Sequence, residues 1–359
     1  MESQIRSFNY RRVHAALNRR LYAFAGGRFA ALCQPSSPTL LLTERCNARC
    51  LHCDIWKNRG AEDRPALSDW KGLLTDLRDW LGPVHVVLTG GEALLNPHTI
   101  ELIAHGHAVG LWIELLSHGY WKDQSKIEEL VSARPARVTI SLDSVGETHN
   151  LIRGRERFLD RTTQTIQTLI RLRSERQLKF EILLKTVIMR KNLNEVCEVA
   201  EFADQNGLEV FYQPIEQNYN TTEDPDWFRH NDTWPDDAEA AATVVQELCE
   251  LKRAGFPIAN SFAQLEVMIP YFRDPAASRI AVQSHTAHEP GLRCSAATML
   301  QVQANGDVTI CTAKPPVGNI RSESIRQIWG ARPKWWQSGC CLEQRLTSAS
   351  EPDKGNPAR

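Results

Sequence analysis

Three cysteines within eight residues constrain this chain more than any other feature of its sequence. Cys46, Cys50 and Cys53 follow a leucine-rich apolar segment, residues 38–43, which is bounded by a proline and by polar residues. A short apolar segment with such boundaries predicts a buried strand, so the three thiols are predicted to lie together in the loop that follows it. Thiolates at this spacing are soft ligands that suit an iron–sulfur cluster or zinc.

The choice of metal depends on the fourth ligand. A structural zinc site normally has four protein ligands. This loop offers three thiols and His52, which sits between Leu51 and Cys53, where the loop can hardly turn it inward as well. Three thiolates on a four-iron cluster leave one iron open to an outside ligand. Three core thiols are a further alternative, but core cysteines seldom gather at the end of a strand. The cluster is the favoured interpretation.

Strand and helix patterns alternate over the first two thirds of the chain. The segments predicted to be strands are residues 38–43, 84–89, 111–116, 137–143, 180–189 and 209–215. Amphipathic segments between them are predicted to be helices, among them residues 68–81, 96–107 and 158–173. Near-continuous apolar strands separated by helices indicate a parallel sheet covered by helices. The predicted fold class is therefore α/β, with an open or partial (β/α)6 barrel.

Polar motifs stand where ligands of such folds gather, at the carboxyl ends of the strands. Gly90-Gly91-Glu92 follows the second predicted strand, and paired glycines let a backbone approach a ligand closely, although a plain turn explains them equally well. Ser141 and Asp143 end the fourth strand two residues apart, so they are predicted to share one face. Lys185 and Tyr212, late in strands five and six, are candidate substrate contacts or ordinary strand-end residues.

The C-x3-C-x2-C loop followed by Gly90-Gly91-Glu92 closely resembles the radical S-adenosylmethionine (SAM) enzymes. The resemblance implies that Cys46, Cys50 and Cys53 hold a [4Fe–4S] cluster, whose fourth iron binds the amino and carboxylate groups of SAM. It also implies that the reduced cluster cleaves SAM into methionine and a 5′-deoxyadenosyl radical.

Further residues receive SAM-binding roles only through this resemblance. The backbone of Gly90, Gly91 and Glu92 would receive the amino group of SAM, and Ser141 and Asp143 would meet its ribose hydroxyls.

A third part of the resemblance is the H-x3-R-G stretch of residues 149–154. Its Arg153 would steady the loop or the SAM carboxylate. Ser117-His118-Gly119 is a near match to the Thr-Asn-Gly that this family often carries. Its histidine is either a catalytic acid or base, or a solvated residue at the end of a strand.

A second set of cysteines lies near the carboxyl terminus. Sixteen residues separate Cys294 and Cys311, and Asn305-Gly306 between two β-branched segments predicts a hairpin. The C-x11-G-x4-C spacing resembles the SPASM/twitch extension of radical SAM enzymes, which binds one or two further iron–sulfur clusters. Adjacent Cys340 and Cys341 replace the usual late C-x2-C pair, and neighbours on a strand point to opposite faces. We expect one auxiliary cluster, held by Cys294, Cys311 and at least one of Cys340 and Cys341; the alternatives are a zinc site and reduced structural cysteines.

These features divide the chain into five predicted parts. They are a basic helical segment (1–36), a radical SAM core (37–235), a helical connection (236–290), a SPASM/twitch-like domain (291–347) and a disordered tail (348–359).

Composition narrows the possible partners and locations. A net charge of −1 and a pI near 6.8 argue against nucleic-acid binding. The sequence shows no signal peptide and no apolar segment long enough to span a membrane, so a cytoplasmic location is expected. Ten cysteines in such a chain favour metal ligation over disulfides. The basic amino-terminal helix leaves contact with a membrane surface open, but packing across the main domain is favoured.

The sequence thus predicts an enzyme whose deoxyadenosyl radical abstracts hydrogen from a peptide or a small natural product. The expected outcome is a net oxidation or a crosslink, aided by the auxiliary cluster. A reductase, flavodoxin or ferredoxin is the expected electron donor. The alternative is a non-catalytic iron–sulfur electron carrier or redox sensor, which would need the cysteines but not Gly90-Gly91-Glu92, Ser141 or Asp143.

Overall fold

The computed structural model describes residues 13–14, 16–18, 20–21, 32–58, 64–218, 224, 226–275, 298–311 and 315–331. Cys294, Cys340, Cys341, the predicted tail, most of the basic amino-terminal segment and residues 276–297 of the predicted connection lie outside this part of the chain.

A parallel sheet of six strands forms the centre of the described structure. The strands are β1 (Thr39–Leu41), β2 (His85–Thr89), β3 (Trp112–Ser117), β4 (Arg137–Ser141), β5 (Glu181–Ile188) and β6 (Glu209–Pro214). Each pairs in parallel with the next, and β1 and β6 do not pair within the described residues. The predicted α/β class and partial barrel are therefore confirmed, and all six predicted strands are present, with bounds that differ from the prediction by at most two residues.

Helices connect the strands and cover one face of the sheet. They are α1 (Leu67–Leu81), α2 (Thr99–Ala108), α3 (Ser125–Ser132), α4 (Thr148–Arg153), α5 (Phe158–Glu175), α6 (Val196–Gln205), α7 (Ala238–Arg253), α8 (Phe262–Glu266), α9 (Met268–Arg273) and α10 (Ile325–Gly330). Helix α1 shows why the amphipathic segments pack on the sheet as helices, because its apolar residues are buried along one side: Trp70, Leu73, Leu74, Leu77 and Leu81.

The carboxyl-terminal hairpin extends the same sheet. Strands β7 (Gln301–Val302), β8 (Asp307–Thr309) and β9 (Gly318–Asn319) are antiparallel to one another, so the hairpin predicted at Asn305-Gly306 is confirmed. Strand β7 also pairs in parallel with β1, which the sequence did not predict. The module therefore continues the sheet at the edge of the strand that leads to Cys46.

The loop after β2 packs directly onto the start of the cysteine loop. The backbone N–H of Gly91 donates to the carbonyl oxygen of Thr43 at 2.8 Å, and that of Glu92 donates to the carbonyl oxygen of Arg45 at 2.9 Å. A Cβ atom on Gly91 would lie 2.5 Å from the Arg45 carbonyl oxygen, which is closer than real Cβ contacts come. Glycine is needed at this position because the two backbones touch.

We expect Gly91→Ala to lower the free energy of unfolding by about 1–3 kcal/mol, because the added methyl group forces the two backbones apart. Gly72→Ala is the matched control: Gly72 lies within α1, where nothing lies within 4 Å of an added Cβ. Alanine is favoured over glycine inside a helix by about 0.5–1 kcal/mol, so the control is expected to gain stability. Chemical denaturation measures both, and equal stabilities of the two variants would contradict this account.

Candidate functional site

The three cysteines of the loop after β1 lie together at the carboxyl end of the sheet. Cys50 is buried, Cys46 and Cys53 are half-buried, and all three pack in the apolar cluster around Phe158. Burial raises the pKa of the Cys46 thiol to about 12, so a metal must displace the proton to bind there. Among the described residues no three His, Cys, Asp or Glu side chains converge on one ion position. A cluster does not require such convergence, because its ligands bind different irons.

The end of α4 holds the middle of the cysteine loop from the second side. The backbone N–H groups of Arg49 and Leu51 donate to the carbonyl oxygens of Arg153 and Ile152 at 2.9 Å and 3.0 Å. Gly154 ends the helix with φ +67°, and a Cβ atom there would lie 2.4 Å from the Arg49 carbonyl oxygen. The loop is therefore fixed between the β2 turn and the residues of the predicted H-x3-R-G stretch.

The guanidinium of Arg153 connects the loop to the end of β4. Its Nη1 donates to Cys50 Sγ at 3.6 Å, and its Nη2 pairs with Asp143 Oδ2 at 2.6 Å. Asp143 Oδ1 also accepts from the backbone N–H of Val187 at 3.2 Å. Burial alone would raise the pKa of Asp143, but Arg153 and nearby histidines outweigh it and lower the pKa. The ionised Asp143 thus finds its partner within the chain, which is a role that the sequence did not suggest.

Three buried polar nitrogen atoms around this ion pair have no hydrogen-bond partner among the residues that the structure describes. They are Arg153 Nε, His52 Nδ1 and His149 Nε2. Buried polar groups are normally hydrogen-bonded, so three such nitrogens around one ion pair indicate space that a polar ligand completes. Burial lowers the pKa of His52 to about 4, which keeps its ring neutral.

Glu92 holds the end of β3 in place through its buried carboxylate. The carboxylate accepts hydrogen bonds from Ser117 Oγ at 3.0 Å, from the His118 backbone N–H at 2.9 Å and from the Leu94 backbone N–H at 3.2 Å. Burial raises the pKa of Glu92 to about 7. The last residue of the Gly-Gly-Glu motif therefore contributes its backbone to the cysteine loop and its side chain to the neighbouring strand.

His118 is not the solvated residue that the sequence left open, because it is 5% exposed. Its Nδ1 accepts from the Tyr120 backbone N–H at 3.0 Å and lies 3.1 Å from Glu92 Oε2, and its Nε2 is hydrogen-bonded to Asn47 Oδ1 at 2.7 Å. Burial lowers its pKa well below the usual value, so the ring is neutral. His118 therefore braces the cysteine loop through Asn47.

Lys185 and Ser141 face the uncovered side of the sheet. Tyr212 shows which side is covered, because its hydroxyl donates to the Val196 carbonyl oxygen in α6 at 2.9 Å. Of the two roles that the sequence left open for Tyr212, this contact favours the ordinary strand-end residue. Tyr212 is the register partner of Thr186, and Lys185 points the other way because strand side chains alternate. Lys185 in turn pairs in register with Ser141. Burial lowers the pKa of Lys185.

A cavity of about 760 Å³ opens beside the cysteine loop. It shares Leu51 with that loop, and Asn218 Nδ2 donates to the Leu51 carbonyl oxygen at 3.4 Å. The other lining residues follow β5 and β6: Arg190, Lys191, Gln217, Asp224, Trp227, His230, Asn231, Asp232 and Thr233. Most of this wall is an irregular segment without a periodic pattern, so its place in a cavity could not be predicted from the sequence.

Two family matches cover more than half of the chain. Residues 40–203 match the radical SAM superfamily, and residues 294–346 match SPASM, an iron–sulfur cluster-binding domain. The chain therefore belongs to the radical SAM superfamily and carries a SPASM domain, as its motifs predicted. The cofactors of this family are a [4Fe–4S] cluster and SAM, and SPASM binds an additional iron–sulfur cluster. The clustered thiols and the unpartnered polar atoms around them fit the first two.

Similar proteins include enzymes of two kinds. AdoMet-dependent heme synthase of Methanosarcina barkeri is 27% identical over 48% of this chain and 48% of that protein. PqqA peptide cyclase of Xanthomonas campestris pv. campestris is 24% identical over 82% of this chain and 73% of that protein. This chain spans about half of the length of the heme synthase.

The fold is shared with solved structures. Streptococcus suis SuiB bound to the precursor peptide SuiA aligns with a TM-score of 0.61 and 14% identity, over 90% of this chain and 69% of that one. In the described part of the chain, no helix is long and apolar enough to cross a membrane.

The raised pKa of Glu92 predicts a pH dependence of stability. The folded chain holds the Glu92 proton up to a pKa of about 7, whereas the unfolded chain releases it near the ordinary pKa of 4.5. The contribution of Glu92 to the free energy of unfolding is therefore complete below pH 4.5 and is lost as pH rises through about 7. We therefore expect Glu92→Gln, which has no such charge, to gain stability relative to the wild type between these pH values.

Urea unfolding of the purified chain at a series of pH values measures this difference. Glu129→Gln, on the exposed side of α3, is the control and is expected to follow the wild type at every pH. Parallel profiles for Glu92→Gln and the wild type would contradict the assignment.

Proposed function

We propose that this chain is a radical SAM enzyme that oxidises or crosslinks a peptide substrate. The observation that carries the proposal is the position of the cysteine loop, which is fixed from both sides at the carboxyl end of the parallel sheet of a radical SAM family member. When bound, the cluster and SAM supply a one-electron cleavage that yields methionine and a 5′-deoxyadenosyl radical.

The residues of the loop and its neighbours take separate roles in this proposal. Cys46, Cys50 and Cys53 hold the [4Fe–4S] cluster. The backbone of Gly90-Gly91-Glu92 receives the amino group of SAM, and Ser141 meets its ribose.

Arg153 and Asp143 form a buried ion pair beside these groups. Arg153 steadies the loop through Cys50, and its free Nε–H is available to a carboxylate of SAM. Asp143 orients Arg153 and is in this respect a positioning residue, while its proposed contact with the ribose stays a prediction.

A peptide substrate is supported by the cavity and by the relatives. The cavity adjoins the cysteine loop at Leu51 and presents amide, hydroxyl and charged side chains, which suit the polar backbone of a peptide. A peptide cyclase and a protein solved with a precursor peptide are among the similar proteins. In this proposal the cavity would hold the peptide beside the cysteine loop, where the bound cluster and SAM would supply the radical.

An auxiliary cluster fits a net oxidation, because removal of a hydrogen atom leaves the substrate with one electron to give up. We assign this cluster to Cys294, Cys311 and at least one of Cys340 and Cys341. Cys311 follows β8 of the hairpin whose β7 pairs with β1, so the described start of this hairpin lies beside the strand that leads to the cysteine loop.

Anaerobic cleavage of SAM tests the proposal. We expect the reconstituted chain, reduced with dithionite, to form 5′-deoxyadenosine, and the Cys46→Ala, Cys50→Ala and Cys53→Ala variants to form none, because each removes a cluster ligand. Cys249→Ala is the matched control, since Cys249 is a buried thiol of α7 in the core. Mass spectrometry measures the product. A wild type that binds iron but cleaves no SAM would instead favour an electron carrier.

The iron content of the reconstituted chain tests whether an auxiliary cluster is present. We expect Cys294→Ala/Cys311→Ala to lower the iron from about eight to about four atoms per chain, if both clusters hold four irons. Cleavage of SAM without substrate is expected to survive this change. Zinc in place of the missing iron in the wild type would contradict the assignment.

A further inference from the structure

A helix near the amino terminus packs on the rest of the chain through polar side chains. Residues 13–21, the amino-terminal helix, are helical at every position that the structure describes in that range. His14 and Asn18, one turn apart, are 9% and 5% exposed. Asn18 Nδ2 donates to the Gln34 carbonyl oxygen at 2.8 Å, and Asn18 Oδ1 accepts from the Gln34 backbone N–H at 3.1 Å. His14 Nε2 is hydrogen-bonded to Gln34 Oε1 at 2.9 Å.

The side of this helix that is turned to solvent is apolar. Val13 and Leu17, also one turn apart, are 67% and 54% exposed. Arg20 follows them on the same side and is also exposed. We call Val13, Leu17 and Arg20 together the outer face. A surface helix normally turns its apolar side to the core and its polar side to water, so the orientation of this helix is inverted.

The segment that contains the helix is strongly basic. Residues 1–36 hold six arginines and one acidic residue, on a chain whose net charge is −1: Arg6, Arg11, Arg12, Arg19, Arg20, Arg28 and Glu2. The neighbouring helix α10 contacts this segment, since Trp329 Nε1 donates to the Cys33 carbonyl oxygen at 3.1 Å. On α10 Arg326 is exposed, and so is Glu323 just before it, so this neighbour adds no excess of acid. The basic character of the segment is therefore not cancelled by α10.

We propose that the outer face of the amino-terminal helix binds the surface of an anionic lipid membrane. In this arrangement the helix lies in the plane of the interface, and Val13 and Leu17 enter the boundary between headgroups and acyl chains. The arginines of the segment meet the negative charge of the lipid phosphates. The inference does not depend on the proposed function, because it concerns a surface that holds none of the residues assigned to catalysis.

The charges favour a membrane over a second copy of this chain. Two copies that met through the outer face would bring their arginines together, and like charges across an interface disfavour association. A nucleic acid would meet the same positive charge, but the exposed Val13 and Leu17 offer no hydrogen bond to a phosphate. A membrane surface is the partner that uses both the apolar side chains and the basic charge.

Contact at the outer face leaves the candidate functional site open. The helix contacts Gln34, which precedes β1, and the Ser36 backbone N–H donates to the Thr298 carbonyl oxygen at 3.3 Å, just before β7. The helix is thus attached near the amino ends of these two parallel strands. The cysteine loop follows the carboxyl end of β1, and the cavity shares Leu51 with that loop. A chain bound to a membrane through the helix therefore keeps its cavity accessible.

Cosedimentation of the purified full chain with lipid vesicles tests the proposal. We expect the wild type to bind vesicles of about 70% phosphatidylcholine and about 30% phosphatidylglycerol at least about tenfold more tightly than vesicles of phosphatidylcholine alone, because only the former carry negative charge. Binding to the anionic vesicles is expected to weaken as salt rises from about 50 to about 500 mM, because salt screens exposed charges.

A pair of variants isolates the apolar part of the outer face. Val13→Gln/Leu17→Gln keeps the charge and a helix-forming side chain, and we expect it to lower the partition coefficient on the anionic vesicles at least about tenfold. Its midpoint of unfolding in urea is expected to match the wild type, because both side chains are exposed. Leu151→Gln is the matched control, since Leu151 is 65% exposed in α4, and it is expected to bind as the wild type does.

Four results would overturn the membrane assignment. They are no binding of the wild type to the anionic vesicles, equal binding to both kinds of vesicle, undiminished binding by Val13→Gln/Leu17→Gln, and a lower unfolding midpoint for that variant, which would mean that another part of the chain covers the two residues. A dimer in sedimentation equilibrium that is lost in the same variant would assign the outer face to a second copy instead.

Discussion

The site depends on backbone hydrogen bonds that hold the cysteine loop from two sides. Gly91 and Glu92 bond its first residues, and Ile152 and Arg153 bond its middle. A loop alone would lose much conformational entropy on binding a cluster, because each ordered residue costs about 1–2 kcal/mol. Here the fold has already fixed the loop, so the three thiols are held close together before metal arrives. Gly91 and Gly154 lie at these two contacts, and glycine is needed there because a side chain at either position would push the backbones apart.

A buried ion pair completes the arrangement. Arg153 reaches Cys50 from a fully desolvated position, which an unpaired cation could not occupy at acceptable cost. Asp143 supplies the opposite charge, and the backbone of Val187 fixes Asp143 in turn. The ends of β4 and β5 and the end of α4 are thereby connected to one cysteine. This connection explains how residues far apart in the sequence act on a single loop.

Local pattern was sufficient to predict the strands and the cysteine loop. Apolar segments bounded by polar residues mark buried strands, and the cysteines stand directly after the first of them. Pairing of β7 with β1 could not be predicted, because it depends on contact between segments about 260 residues apart rather than on local pattern. The sequence left the orientation of Tyr212 and the role of His118 open for a related reason, since a polar strand-end residue has the same sequence signature whether it faces ligand, helix or loop.

The central claim is that the cysteine loop holds a cluster with one iron open to SAM. Electron paramagnetic resonance of the reduced holoenzyme tests it most directly, using Cys294→Ala/Cys311→Ala so that only the first cluster contributes. We expect the signal to change when SAM is added, because SAM becomes a ligand of the open iron, and no such signal from a variant that also lacks Cys50. A four-iron signal that is identical with and without SAM would contradict the claim.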